Sequence, residues 1–355
     1  MAEGSTEPRV AQIDVLINGS PVSAEVLGRI QEVAVEDSVE LPSMFTFAIS
    51  SWDAVHLNPS WVDDDRFSVG NVVDIRMGWG DKLSSLIIGE ITALEAEFTG
   101  SALPLLNVRG YDRRHRLQRG RKTRTFLQKK DSDIAAQIGR EAGLTVKATD
   151  SSVSLDYVLQ AAQTDWEFLR ERARLIGYEV IVNDKTMLFR PIGNAQREIL
   201  KIGFEYDMSE FSARLSTAGQ ATEVKVQSWS VKEKKAGLGD SKAGDEVSTM
   251  GGQSSGAAIT QRAFGEAIDV VIDHPVAAQA EADQIAKGRF NELVLELVTG
   301  EGVCSGNTDL RAGKVIKIDG VGRRFSGPYY VTSAVHRVTA AGDYITEFAV
   351  RRNAS

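Results

Sequence analysis

From Val10 to Asp112 apolar residues alternate with polar ones at strand spacing. Val10, Ile13, Val15 and Ile17 predict a first strand, and Asn18-Gly19-Ser20-Pro21 predicts the turn that ends it. Val33 and Val35 alternate with polar neighbours, and Met44, Phe45, Phe47 and Ile49 follow Pro42, so these two runs read as hairpin partners. The segment from Trp52 to Arg66 breaks the alternation with Asn58, Pro59 and the acidic run Asp63-Asp64-Asp65. That run lacks the spaced oxygen ligands and the glycine of a calcium loop, so it reads as a solvated excursion from the sheet.

Between Arg113 and Pro191 the period changes to mixed helix and strand. Asp131-Ser132-Asp133 can cap a short helix with Ile134 and Ile138 on one face, and Gly143 fits the position after its last turn. Thr164-Asp165-Trp166-Glu167 is a capping box; Trp166, Leu169, Ala173 and Ile176 form one stripe, and Gly177 stops the helix. Tyr178 to Val182 and Met187 to Phe189 then predict a hairpin around Asn183-Asp184.

Strand patterning resumes from Ile199 and is clear over Glu223 to Trp229. Residues 232–257, rich in Gly, Ser, Lys and Asp, carry no sustained apolar period and read as a mobile loop that orders only on meeting a neighbour. Sheet returns at Ile268 to Ile272. Pro275 opens an alanine-rich helix to about Phe290, and strands follow at Val294 to Val298, Lys314 to Ile318, Tyr329 to Val338 and Tyr344 to Arg351.

Two distant stretches read as the same piece of sheet. Phe67 to Ile75 and Leu310 to Ile318 are each an apolar residue, a glycine turn and a strand; Gly89 to Leu94 with Leu106 to Arg109 is matched by Tyr330 to Val335 with Phe348 to Arg351. Glycine-led hairpins of alternating Val and Ile also look alike in unrelated β proteins. A true duplication lets a ring of n copies present twice as many similar surfaces, which joins rings of different symmetry.

The length of 355 residues predicts two or three domains, and 42% hydrophobic with 25% charged residues excludes whole-chain disorder. A net charge of -8 argues against a protein that coats nucleic acid. Cys304 is the single cysteine, which excludes an internal disulfide and fits assembly in a reducing compartment. Residues 1–9 are polar and read as a disordered N-terminus without a secretory signal, and no apolar stretch is long enough for a membrane span.

His56, His115, His274 and His336 never stand at helical metal-pair spacing, and no nucleophile elbow, phosphate loop or dinucleotide fingerprint occurs. No catalytic, cofactor or metal residues are therefore named, although pairs such as Glu95 with Glu97 or Glu179 with Asp184 leave carboxylate chemistry open. The conspicuous charged feature is a basic run: Arg109, Arg113, Arg114, Arg116, Arg119, Arg121, Lys122, Arg124, Lys129 and Lys130. It suits phosphate contact, an acidic neighbouring subunit or plain solvent. With only Tyr111 and Phe126 interleaved it lacks the stacking platform of single-strand binders, so the first eight are candidates for a subunit contact.

Two motifs point to a family. Val108-Arg109-Gly110-Tyr111-Asp112-Arg113-Arg114-His115-Arg116-Leu117, leading to Asp131-Ser132-Asp133-Ile134-Ala135, resembles the end of the first barrel in the phage late control D family. Gln163-Thr164-Asp165-Trp166-Glu167-Phe168-Leu169, with Ala173 and Gly177-Tyr178, resembles a helix of that family and of the type VI secretion VgrG proteins. The resemblance implies a mainly β (α+β) chain: a tube-like antiparallel β-barrel over 10–112, an inserted α+β linking domain over 113–192, and a second barrel over 193–352 carrying loop 232–257 and helix 275–290.

It further implies a structural, non-enzymatic baseplate hub of a contractile injection system or phage tail, assembled in the bacterial cytoplasm and carried in the particle's baseplate. A homotrimer of pseudo-sixfold symmetry would join a hexameric inner tube protein to a trimeric spike, alongside other baseplate proteins. Because the chain stops soon after its last strand, the spike is expected to be a separate polypeptide, and no lysozyme-like segment is present. Subunit interfaces above roughly 2,000 Å² are expected of such a permanent assembly. The alternatives are a nucleic-acid-binding protein using 109–130 and a carboxylate-dependent cell-wall hydrolase.

Overall fold

The computed structural model of the chain describes residues 10–52, 58, 60–101, 103–230 and 235–355. The tail 1–9, His56 and the start of the 232–257 segment lie outside the described residues.

The first lobe contains β1 (Ala11–Ile17), β2 (Ser20–Pro21), the short α1 (Ala24–Leu27), β3 (Ile30–Ser38), β4 (Met44–Ser50), β5 (Val72–Trp79), β6 (Lys82–Glu97) and β7 (Leu105–Tyr111). Asn18 and Gly19 both have positive φ, as the tight turn joining β1 to β2 needs. Alternation puts Phe45, Phe47 and Ile49 of β4 inside, where they meet Val15, Val33, Val73, Ile75 and Val108. In the excursion before β5, the Asp64 carboxylate accepts from the Arg66 N–H and caps a single 3-10 turn, Asp65–Phe67.

The inserted segment contains α2 (Arg114–Leu117), β8 (Lys122–Lys129), α3 (Asp131–Glu141), β9 (Thr145–Ala148), β10 (Leu155–Gln163), α4 (Asp165–Leu175), β11 (Tyr178–Asn183) and β12 (Thr186–Pro191). The capping box is formed: Thr164 Oγ1 accepts from the Glu167 N–H at 3.1 Å, and Glu167 from the Thr164 N–H at 3.0 Å. Gly177 has φ +69 and releases the chain into the β11–β12 hairpin. α3 begins one residue earlier than a cap at Asp131 would place it. Asp131 is already helical, and its carboxylate takes both Arg172 Nε and Nη2 of α4 at 2.7 and 3.0 Å.

The remainder contains β13 (Leu200–Gly203), β14 (Met208–Leu215), β15 (Glu223–Ser230), β16 (Lys235–Lys242), α5 (Gly256–Phe264), β17 (Ile268–Val271), α6 (Gln279–Val294), β18 (Val298–Ser305), β19 (Val315–Asp319), α7 (Gly322–Phe325), β20 (Gly327–Thr339) and β21 (Tyr344–Arg352). The expected loop at 232–257 is corrected here, since β16 pairs with β15 along its whole length and α5 starts at Gly256. The apolar alternation is missing because α6 packs too close to permit it: a Cβ on Gly239 would lie 2.2 Å from the Ala282 carbonyl carbon. The helix expected over 275–290 is shifted to Gln279–Val294, with Glu281 accepting from the Ala277 N–H ahead of its first turn. The strand expected at Val294 starts only at Val298 for the same reason.

β15, β16 and β17 form a separate small sheet on α6. The other strands of both lobes join one 13-stranded sheet. Two distinct barrels were expected, and this is the main difference: among the described residues no ring of strands closes, and the lobes share a continuous ladder. Their strand orders match, β3-β4-β7-β6-β5-β1 in the first and β14-β18-β21-β20-β19-β13 in the second. One difference is that β1 runs antiparallel to β5, whereas β13 runs parallel to β19.

The likeness extends to defects in the ladder. β3 bulges between Ile30 and Glu32, and β14 between Met208 and Glu210. β6 bulges between Ile91 and Ala93, and β20 between Val331 and Ser333. The Gly70 N–H donates to Ile91 O at 2.8 Å, and the Gly313 N–H to Val331 O at 2.9 Å. Bulges are individually placed features, so two in matching positions make chance similarity of generic hairpins a poor account.

Candidate assembly surfaces

The basic run does not project as a single charged face. Arg114 is 1% exposed: its Nε donates to Asp112 Oδ2 at 2.7 Å, Nη1 to Ser38 O at 2.8 Å and Nη2 to Ser43 Oγ at 2.6 Å, while its guanidinium covers the Trp166 ring of α4. Glu90 of β6 gathers the next members. Arg116 reaches it through Nε and Nη2 at 2.8 and 2.6 Å, His115 Nε2 lies 2.8 Å away, and buried Arg113 lies 3.4 Å away and also pairs with Asp184. Burial pushes the Glu90 carboxyl up, but Arg116, His115 and Arg113 outweigh it and hold the group below its ordinary value.

Farther along, Arg124 and Lys122 both hold Asp165, each at 2.6 Å, and Arg121 holds Glu167 at 3.0 Å. Arg119 Nη2 lies 3.4 Å from His115 Nδ1, and Arg109 pairs loosely with Glu95 at 3.4 Å. Acidic complements to most of this run therefore stand on the same chain: Glu90 and Asp112 fasten the inserted segment to the first lobe, while Asp165 and Glu167 tie β8 and its lead-in to α4 within the insert. Arg113 and Arg114 lie inside, because charged groups at this depth need partners on every side. Arg109, Arg116, Arg119, Arg121 and Lys122 keep exposed surface.

A second polar centre joins the two lobes. Asp37 on β3 accepts from Arg311 Nε at 2.9 Å, the Ala312 N–H at 3.2 Å and Ser43 Oγ at 2.8 Å. Burial raises the Asp37 carboxyl, yet Arg311, Arg114 and Ser43 together hold it below the usual value. Arg311 also donates to Leu86 O of β6 at 2.5 Å, and Trp79 Nε1 donates to Gly306 O at 2.7 Å. Beside them His336 is fully buried, 3.0 Å from Leu310 O and 3.2 Å from the Tyr344 hydroxyl; burial and the Arg311 charge push it down to about 4. None of this was marked in the sequence, where Asp37, Arg311 and His336 look like ordinary strand or turn residues.

Along this seam β20 pairs with β3 in the register Ser333↔Ser38 to Thr339↔Glu32, and Arg337 and Glu32 form an ion pair across it. β20 can do so because β19 covers only its first part, leaving the rest of that edge to β3. β6 is built alike: β5 covers it as far as Glu90, but among the described strands its continuation pairs only with β7. β14 ends the sheet, with β18 as its one partner among the described strands. Among the described strands two edges thus stand open, the far part of β6 and the outer side of β14.

Among the described residues no group of three His, Cys, Asp or Glu is placed to hold a metal ion, and no helix is long and apolar enough to cross a membrane.

Known structures share this architecture. The 43 kDa tail protein of prophage MuSo2 from Shewanella oneidensis aligns over 96% of this chain and 98% of its own, with a TM-score of 0.71 at 10% identity. A tail protein from Neisseria meningitidis MC58 covers 97% of each chain, with a TM-score of 0.69 at 11% identity. The E. coli c3393 protein, described as a type VI secretion component similar to the bacteriophage T4 tail proteins gp27 and gp5, aligns over 96% of this chain and 77% of its own, with a TM-score of 0.63 at 12% identity. The mainly β architecture with inserted helices expected from the two sequence motifs is therefore shared with these structures, although among the described residues neither lobe closes into the expected barrel. No curated protein matches the sequence. The family model described as the Alg8 N-terminal domain matches residues 7–340, nearly the whole chain, and the chain belongs to that family.

Proposed function

We propose that the protein is a structural hub of a phage-tail or contractile-injection baseplate, a homotrimer whose six similar lobes join a hexameric tube to a trimeric spike. The observation that carries this reading is the duplicated lobe, with the same strand order and the same pair of bulges in both halves. A threefold ring of such chains offers sixfold-like docking on one side while keeping true threefold symmetry for the other. The fold shared with tail proteins and a type VI secretion component supports it. Assembly in the bacterial cytoplasm and a place in the released particle follow from the same proposal.

The role is mechanical. The hub holds tube to spike under the load of sheath contraction, through interfaces above roughly 2,000 Å². The exposed members of the basic run, Arg109, Arg116, Arg119, Arg121 and Lys122, remain candidates for contact with tube, spike or other baseplate proteins. Nucleic-acid binding is disfavoured because Glu90, Asp112 and Asp165 already neutralise much of that run. The test is light scattering with negative-stain microscopy on the purified chain at high concentration, with and without its spike. A hollow threefold ring is the expected result; a compact monomer under both conditions overturns the reading, as salt-sensitive duplex binding or peptidoglycan turnover would redirect it.

A further inference from the structure

The seam between the lobes specifies a contact that the chain makes only once with itself. We propose that β14 of one copy adds to the open edge of β6 in the next copy, repeating between chains the β3–β20 ladder found within each chain. The inference rests on the hub reading and supplies its subunit interface at residue level.

The register follows from the two pairs of bulges. In β6 and β20 the second residue past the bulge is Leu94 and Ala334, opposite Val108 and Phe348. In β3 and β14 it is Val33 and Phe211, opposite Phe47 and Gly302. Within the chain Ala334 stands opposite Asp37, Val335 opposite Glu36, His336 opposite Val35 and Val338 opposite Val33. Counting from the bulges, Asp37 corresponds to Leu215, Glu36 to Arg214 and Val35 to Ala213. The transferred ladder therefore sets Leu94 against Leu215, Glu95 against Arg214, Ala96 against Ala213, and Phe98 against Phe211.

Side-chain chemistry played no part in fixing that register, yet the pairs are complementary. Two are apolar, one joins small residues, and one joins opposite charges, the combinations that favour cross-strand neighbours. Burial points the same way. Leu94 is 37% and Phe98 60% exposed, whereas their counterparts Ala334 and Val338 are 0% and 5% exposed under β3. Arg214 is exposed and has no ion pair with another described residue, and Glu95 has only the 3.4 Å contact with Arg109. Strand addition would also satisfy two rows of backbone groups left open at the edges. The contact is head-to-tail, so it either closes into a ring or runs on as a filament.

The test uses the full chain carrying Leu94→Cys and Leu215→Cys, oxidised and run without reductant, because directly opposed strand residues lie within disulfide reach. The expected result is a covalent ladder ending at three copies, absent from either single variant. In parallel, Glu95→Arg and Arg214→Glu should each abolish the trimer, and the two together should restore it. A wild-type trimer with no ladder and no response to either charge change overturns this interface while leaving the hub reading intact. A ladder running past three copies keeps the strand pairing and overturns the threefold hub; a wild-type protein that stays monomeric with its spike overturns both.

Discussion

Thr92 and Thr332 occupy the same bulge in the two lobes, and each sends its hydroxyl to the neighbouring strand: Thr92 Oγ1 to Arg109 O at 3.5 Å, Thr332 Oγ1 to Ala349 O at 3.2 Å. A bulge sharpens local twist, so a matching pair gives β6 and β20 the same bend and turns their outer halves away from β5 and β19. That bend frees one edge for β3 inside the chain and leaves its equivalent open.

The Glu90 carboxylate is the keystone between first lobe and insert, so Glu90→Gln should be severe. Removing this charge from a buried cluster leaves Arg113 with the half-exposed Asp184 as its one remaining carboxylate, and breaking such a buried pair costs up to about 3–5 kcal/mol. Urea unfolding at neutral pH should show this as a lower midpoint. An unchanged midpoint would mean that Asp184 alone suffices for Arg113.

The folded-state values of Glu90 and Asp37 lie below their ordinary 4.5 and 3.8, so both bind protons less readily than in the unfolded chain. Their contribution is complete above those unfolded values and is lost as pH falls through the lower folded ones. Wild-type stability should therefore drop steeply at the acid end, and a Glu90→Gln variant should show a shallower acid limb in the same titration.

His336 works in a different window. It stays neutral down to about 4 in the fold, whereas the unfolded histidine protonates near 6.5. Stability is complete above 6.5 and declines as pH falls toward 4, by roughly 3 kcal/mol in all. NMR titration of the His336 ring should give a midpoint near 4; a midpoint near 6.5 would contradict the burial described.

Gly239→Ala should destabilise the small β15–β16–β17 sheet, because the new methyl meets the backbone of α6 at Ala282 rather than a movable side chain. A cost of about 1–3 kcal/mol is expected of such overpacking. Proteolysis should then cut first in this unit, whose loosening leaves the main sheet intact.

Cys304 is buried beneath the second lobe, and burial together with Asp207 pushes its thiol up to about 12. The reactive thiolate is thus scarce and covered. Maleimide at pH 8 should label the native protein only at the rate of unfolding, and prompt labelling would show the lobe to be open.

Local signals were readable from residues alone: the Thr164 capping box, the Gly177 stop, the alternation of β4 and the repeated glycine turns at Gly70 and Gly313 all have short-range causes. The strand order was not readable, because β3 joins β20 through backbone bonds that leave no mark in either segment. Strand β16 was missed since its inward positions are kept small by α6, erasing the pattern by which strands are recognised. The basic run misled in a related way. A sequence gives charge but not the depth or the partners of Arg113 and Arg114, which only the fold brings to Glu90, Asp112 and Asp184.

The β3–β20 ladder also bears on synthesis. Glu32 of β3 leaves the ribosome 305 residues ahead of Arg337, its partner on the outer neighbour strand. The nascent first lobe must wait with one flank unpaired while nearly all the chain is translated, a period in which strand edges invite mispairing. Slow codons or stalling late in the message should for this reason harm yield more than the same delays placed early.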